Sequence, residues 1–90
     1  MKLSTEVTLK NKYGFHARPS TSFSMLAQNY TAKITVSIDD TAVDGKSVMG
    51  LLTLGATAGT AITITADGED AEEAVKALAD HVEGQFGGIE

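Results

Sequence analysis

Cysteine and tryptophan are absent from these ninety residues, proline occurs once, and the aromatic side chains are two tyrosines and three phenylalanines. Without cysteine there are no disulfides, no thiol catalysis and no thiolate metal site, and a reducing compartment is the expected setting. Long apolar runs are also missing. None approaches the ~20 residues of a membrane-crossing helix, and Met1 to Glu6 lacks the apolar stretch of a secretory leader, so a cytoplasmic location with no membrane partner is expected. Positive charge is scarce: seven Lys and Arg stand against twelve Asp and Glu, for a net charge of −5. That balance argues against nucleic acid as a partner, since binding there is dominated by basic contacts to phosphate.

What is present is 42% apolar and 21% charged. At this length residues 1–90 are expected to form one domain around one core, burying roughly 60–65% of the surface the unfolded chain exposes. The charge is unevenly divided. Residues 1–46 hold six Lys and Arg against four acids, a net of +2, whereas residues 47–90 hold only Lys76 against eight acids, a net of −7. The first half is therefore the better place for an anionic partner. Most carboxylates of the second half read as the solvated side of a helix.

Periodicity places the elements. Leu3, Thr5, Val7 and Leu9 alternate with polar residues as a half-buried strand does, and Asn11-Lys12-Tyr13-Gly14 ends it as a turn. From Pro19 onward Phe23, Leu26, Ala27 and Tyr30 recur at helical spacing, and a proline so early loses no intrahelical donor. His16 and Ala17 then lie at the helix mouth. Residues 32–38 alternate again with Ile34, Val36 and Ile38 inward, Asp39-Asp40 reads as a turn, and residues 41–44 pair back. Ser47 caps two turns of helix over residues 48–54, closed by Gly55. Residues 61–66 form a further β-branched strand. Gly68 and the acidic pair Glu69-Asp70 open a last helix, where carboxylates suit the positive end of the helix dipole. Its apolar stripe is Ala71, Ala74, Val75, Leu78, Val82 and Phe86, His81 is read as a surface residue, and residues 87–90 as a frayed tail. The order is β-α-β-β-α-β-α. Alternating rather than continuously apolar strands predict an α+β fold, a four-stranded antiparallel sheet with one wet face and three helices over the other.

The candidate chemistry lies in Gly14-Phe15-His16-Ala17-Arg18-Pro19-Ser20. The first turn of a helix leaves N–H groups unpaired, and these face whatever anion is held beside His16. Arg18 adds charge-assisted hydrogen bonds to phosphate oxygens. A nucleophilic ring, the Ala17 and Arg18 helix start and one guanidinium suit a phosphoryl group carried covalently on His16. No Walker-type loop, His-Glu-x-x-His or Gly-x-Ser-x-Gly is present, and no carboxylates cluster in this segment to hold a metal. No metal and no cofactor are expected. A nucleophile without its own catalyst fits a carrier whose partners supply the catalysis rather than an enzyme. A second candidate is Ser47, where a phosphate would sit against a helix start without unfolding it. Val48, Met49 and Leu52 follow at helical spacing on a helix too short to bury every side, and are divided between core and docking surface.

Two motifs, Gly14-Phe15-His16-Ala17-Arg18-Pro19 and Lys46-Ser47-Val48-Met49-Gly50-Leu51-Leu52-Thr53-Leu54-Gly55, lie about thirty residues apart within this element order. Together they resemble the HPr family, the histidine-containing phosphocarriers of the bacterial phosphoenolpyruvate-dependent sugar phosphotransferase system. The resemblance implies an open-faced β-sandwich, phosphorylation at Nδ1 of His16 and Arg18 beside the phosphoryl group. It implies enzyme I as donor, the A domains of enzymes II as acceptors, and a monomeric carrier. Ser47 matches a serine modified by HPr kinase/phosphorylase, the modified form being a ligand for a transcriptional regulator. Val48, Met49 and Leu52 match the docking surface, completed by Ala17 and Thr21. Ser20 departs from the usual alanine, and Ser24 from a common valine, while Met25 is expected to point outward. The alternative is a regulatory paralogue of the nitrogen branch or of catabolite repression, acting mainly as a phosphorylation-dependent binding module.

Overall fold

The computed structural model describes residues 1–89. β-branched residues at alternate positions build four strands, β1 (Lys2–Thr8), β2 (Lys33–Ile38), β3 (Thr41–Asp44) and β4 (Ala61–Asp67). Between them run α1 (Ala17–Ala27) and α2 (Val48–Leu54), and α3 (Ala71–Glu83) follows β4. The expected order holds, with one short addition, α4 (Gln85–Gly88). The sheet is antiparallel throughout in the order β1-β4-β2-β3, so the last strand in the chain lies inside the sheet between β1 and β2. Val7 pairs with Ile62 and Val36 with Ile64, which puts these side chains on one face with Ile34 and Ala66, all buried under the helices. On the other face the Ser4 and Thr65 hydroxyls meet at 2.8 Å and stay exposed. The sandwich is open on its polar side, as the alternation predicts.

Helix ends follow their capping residues. The Gly50 N–H donates to Ser47 Oγ at 3.0 Å, and Gly55 takes a left-handed φ of 68° that closes α2. Pro19 stands third in α1, still within the turn whose N–H groups have no helical acceptor.

The end of the chain departs from its pattern. Ala71, Ala74, Leu78 and Val82 are the buried stripe of α3, with Val75 half-buried, but the helix stops at Glu83. Phe86 reaches the core instead through left-handed backbone, φ being 56° at both Gln85 and Phe86. Its ring packs 5.6 Å from Phe15 and 5.5 Å from His81. Residues 87–89 are not frayed: the Ile89 N–H donates to the Gln85 carbonyl at 2.8 Å and its side chain packs on the core, while Glu90 lies outside the described residues. His81 is half-buried rather than free at the surface. Its Nε2 lies 2.7 Å from Ser22 Oγ on α1, and desolvation lowers its pKa.

Asp70 also differs from expectation. It makes no side-chain cap bond to its own helix. Its carboxylate accepts instead from the Thr31 N–H at 2.8 Å and the Ala32 N–H at 2.9 Å, clasping the segment that enters β2. The Thr31 amide first, then the Ala32 amide against an opposing desolvation, holds its pKa below the ordinary carboxylate value. The sign follows: a depressed folded pKa contributes stability that is full above the ordinary Asp value of about 4 and is lost as pH falls through the folded value. Asp70→Ala is expected to lower the melting temperature at pH 7 and to flatten its fall below pH 4, measured by circular dichroism melts. An unchanged acid slope would contradict this.

Candidate functional site

The turn between β1 and α1 is fixed from several sides. Asn11 Nδ2 donates to the Gly14 carbonyl at 2.7 Å, and the Phe15 N–H donates to the Ala56 carbonyl at 2.9 Å. Gly14 has φ +64°, and a Cβ there would stand 2.3 Å from the Ala56 oxygen and 2.7 Å from Thr57 Cα. Only glycine fits so close an approach with that backbone. Phe15 turns inward onto Phe23, ring centroids 5.5 Å apart, and the next residue is thereby left at the helix mouth.

That residue is His16, the N-cap of α1, in extended backbone and without a side-chain cap bond. It is half-buried. Its Nε2 is closed off from solvent and has no hydrogen-bond partner among the described residues, so an incoming group cannot reach the ring through that nitrogen. Of the first helical residues, Pro19 has no N–H and the Ser20 N–H donates to the His16 carbonyl at 3.0 Å. The Ala17 and Arg18 N–H groups have no acceptor among the described residues. Both side chains are exposed. The helix thus offers two free amides beside the imidazole, where its dipole favours negative charge.

The remaining candidates gather on the adjoining surface. Ala17, Arg18, Thr21, Ser22 and Met25 line one groove along α1 with Ile89 of the tail, and Thr21 Oγ1 donates back to the Ala17 carbonyl. His16 is not among the groove residues. Met25 points outward as expected, 65% exposed. On α2 the division is resolved residue by residue: Leu51 is fully buried, Val48 is half-buried, Met49 is 71% exposed and Leu52 is 38% exposed. α2 is tied to α1 by Ser24, whose hydroxyl donates to the Lys46 carbonyl at 2.8 Å, and by Gln28 Nε2, which reaches the same oxygen at 3.3 Å. The Ser24 departure therefore brings a polar clasp immediately before Ser47. Lys46 is itself held, its Nζ donating to the Tyr30 carbonyl at 2.6 Å. Among the described residues no three His, Asp or Glu side chains gather as metal ligands, and no helix is long and apolar enough to cross a membrane.

Sequence reasoning missed several of these groups. Asn11 was legible only as a turn former, Tyr13 only as a turn residue, and the Ser24–Lys46 bond spans twenty-two positions. Ser20 shows a cost. Its side chain is fully buried and its Oγ has no partner among the described residues, so the hydroxyl gives up hydration without compensation. Ser20→Ala is expected to raise stability by about 1 kcal/mol, or ~4–8 °C in melting temperature for a domain of this size. A lower melting temperature would show that the hydroxyl has a partner after all.

Comparison with known proteins bears on this arrangement as a whole. A family model described as the PTS HPr component phosphorylation site matches residues 3–84. The chain is 41% identical over 85 residues to phosphocarrier protein HPr of Neisseria meningitidis, covering 94% of this chain and 96% of that one. It is 38% identical to phosphocarrier protein NPr of Shewanella violacea, covering 94% and 93%. Among solved structures it is similar to HPr-C-His from Thermoanaerobacter tengcongensis, with a TM-score of 0.91 at 40% identity and coverage of 94% and 96%.

Proposed function

The chain belongs to the HPr family of phosphocarrier proteins, and from that premise we propose that it carries a phosphoryl group on Nδ1 of His16. The donor is phospho-enzyme I and the acceptors are the A domains of sugar-specific enzymes II, met by a cytoplasmic monomer formed by residues 1–90. One observation carries the choice of atom: Nε2 is sealed, which leaves Nδ1 as the nitrogen open to attack on phosphorus. The Nδ1 lone pair forms the new N–P bond as the bond between phosphorus and the donor breaks, and the donor group leaves with that electron pair. Charge spread over the three phosphoryl oxygens is met by the free Ala17 and Arg18 amides and by the Arg18 guanidinium. The reverse displacement on the acceptor returns His16 to its starting state, so the chain is an intermediate and not a catalyst.

Docking in this reading uses Ala17 and Thr21 of α1 with Val48, Met49 and Leu52 of α2. Ser47 is the regulatory phosphorylation site, the substrate of an HPr kinase/phosphorylase, and its modified form the ligand of a transcriptional regulator. A dianionic phosphate on that hydroxyl would stand next to exposed Met49, wetting an apolar contact and repelling an acidic partner. The experiment is a mass measurement after incubation with phosphoenolpyruvate and enzyme I. One added phosphoryl group, labile in acid, stable in base and passed on to a sugar-specific A domain, is the expected result. Uptake without passage to any sugar-specific A domain would assign the chain to a regulatory branch, and no uptake would overturn the reading.

A further inference from the structure

His16 has a ring with two orientations and no side-chain hydrogen bond among the described residues to choose between them. Rotation about the bond to an imidazole is broad and roughly two-fold, and a half-turn exchanges the positions of the nitrogens and carbons. Hydrogen bonds usually decide the matter, by fixing both the flip and the tautomer. No side-chain hydrogen bond of His16 is found among the described residues, and Nε2 is without a partner. The ring does meet an aromatic neighbour: Tyr13, whose centroid lies 5.7 Å away with the two planes perpendicular.

Tyr13 is 58% exposed and lies outside the buried core. Its backbone, however, is held firmly, between Asn11 bonded to the Gly14 carbonyl and Gly14 itself pressed against Ala56 and Thr57. A fixed turn therefore delivers an otherwise unconstrained aromatic ring to the imidazole. Lys12 steadies that ring from another side, its Nζ 5.2 Å from the ring centroid, a cation–π distance. Three consecutive functions result in a short chain of contacts: ammonium on phenol ring, phenol ring on imidazole, imidazole at the helix mouth.

We propose that Tyr13 is a positioning residue for the phosphoryl transfer, its perpendicular ring contact holding the His16 imidazole with Nε2 inward and Nδ1 presented. The inference rests on the reading of His16 as the phosphoryl acceptor. A lone pair on Nδ1 requires the proton to stand on Nε2, and the free Ala17 and Arg18 N–H groups at the helix mouth favour a ring nitrogen that accepts, so presenting Nδ1 there favours the Nε2–H tautomer as well. A perpendicular aromatic pair changes such an equilibrium by roughly two- to tenfold. The effect falls on the fraction of rings ready to react, and hence on the rate of transfer more than on partner affinity.

The test compares wild type, Tyr13→Phe and Tyr13→Ala, each labelled with 15N at histidine, the His16 signals being assigned by their loss in His16→Ala. Wild type and Tyr13→Phe are expected to show the Nε2–H tautomer and Nδ1-phosphohistidine. Tyr13→Ala, which removes no core side chain, is expected to show a mixed tautomer and a kcat for phosphorylation by enzyme I lower by about two- to tenfold, with KM little changed. A wild-type tautomer and rate in Tyr13→Ala would overturn the proposal. So would a raised KM with the tautomer intact, which would make Tyr13 a docking residue. If wild type took no phosphate at all, the functional reading would fall, while the 15N comparison of the unphosphorylated proteins would still show whether Tyr13 holds the ring.

Discussion

His16→Ala is expected to take up no phosphoryl group from phosphoenolpyruvate and enzyme I while keeping its fold. The two halves of that expectation have separate physical grounds. Loss of uptake follows because the other histidine, His81 of α3, is engaged by Ser22 Oγ of α1 at 2.7 Å and by the ring of Phe86 of α4, whereas His16 is the histidine at the helix start with the free amides. Retention of the fold follows because the imidazole is only half-buried and makes no side-chain cap bond, so α1 loses no hydrogen bond with it. The backbone carbonyl that accepts from Ser20 survives the substitution. Mass spectrometry after incubation reads the first half and a thermal melt reads the second. A variant that still gained a phosphoryl group would place the acceptor elsewhere in the chain.

Arg18→Ala is expected to slow transfer by about 10²–10³-fold with little effect on docking. The guanidinium is exposed and makes no ion pair among the described residues, so nothing in the resting protein spends its charge. Its partner arrives with the phosphoryl group. Charge on the equatorial oxygens is then met by a planar, multiply donating cation beside two preoriented amides, an interaction strongest when the phosphorus is between nucleophile and leaving group. Met49→Ala should show the opposite balance: in the docking proposed above this side chain, 71% exposed on α2, meets the partner rather than the phosphate. Its removal is expected to raise KM about fivefold or more with kcat nearly unchanged. Stopped-flow phosphorylation over a range of enzyme I concentrations separates the two parameters. If Arg18→Ala raised only KM, the guanidinium would be a docking group and the amides would carry the phosphoryl charge alone.

His16 and Arg18 were readable because the feature that matters, a histidine at a helix mouth followed by a proline within the first turn, is local. A cap, a turn and an apolar spacing are each encoded within a few consecutive residues, and Ser47 to Gly55 shows this most fully: cap, helix and left-handed close all stand where the residues put them. The exposed side of α2 was half legible, because helical spacing names the faces of α2 without saying which is covered. Packing against α1 and β3 decided it, burying Leu51 and leaving Met49 and Leu52 outside.

By itself, then, the chain's residue order determined the elements, their polarity, the antiparallel sheet with one wet face and the histidine at a helix mouth, since each depends on contacts between near neighbours. Tertiary structure alone decided the insertion of β4 between β1 and β2, the Asp70 clasp on Thr31 and Ala32, the Ser22–His81 pair and the left-handed route by which Phe86 reaches the core. The Asp70 and His81 contacts join residues 38 to 59 positions apart. At such separations no periodicity carries information, because the partner is selected by which surfaces the folded layers bring within bonding distance. The closing of Nε2 and the ring of Tyr13 beside it belong to the same class: the residues are three apart, but their relation depends on a turn anchored to Ala56, on the far side of the sequence.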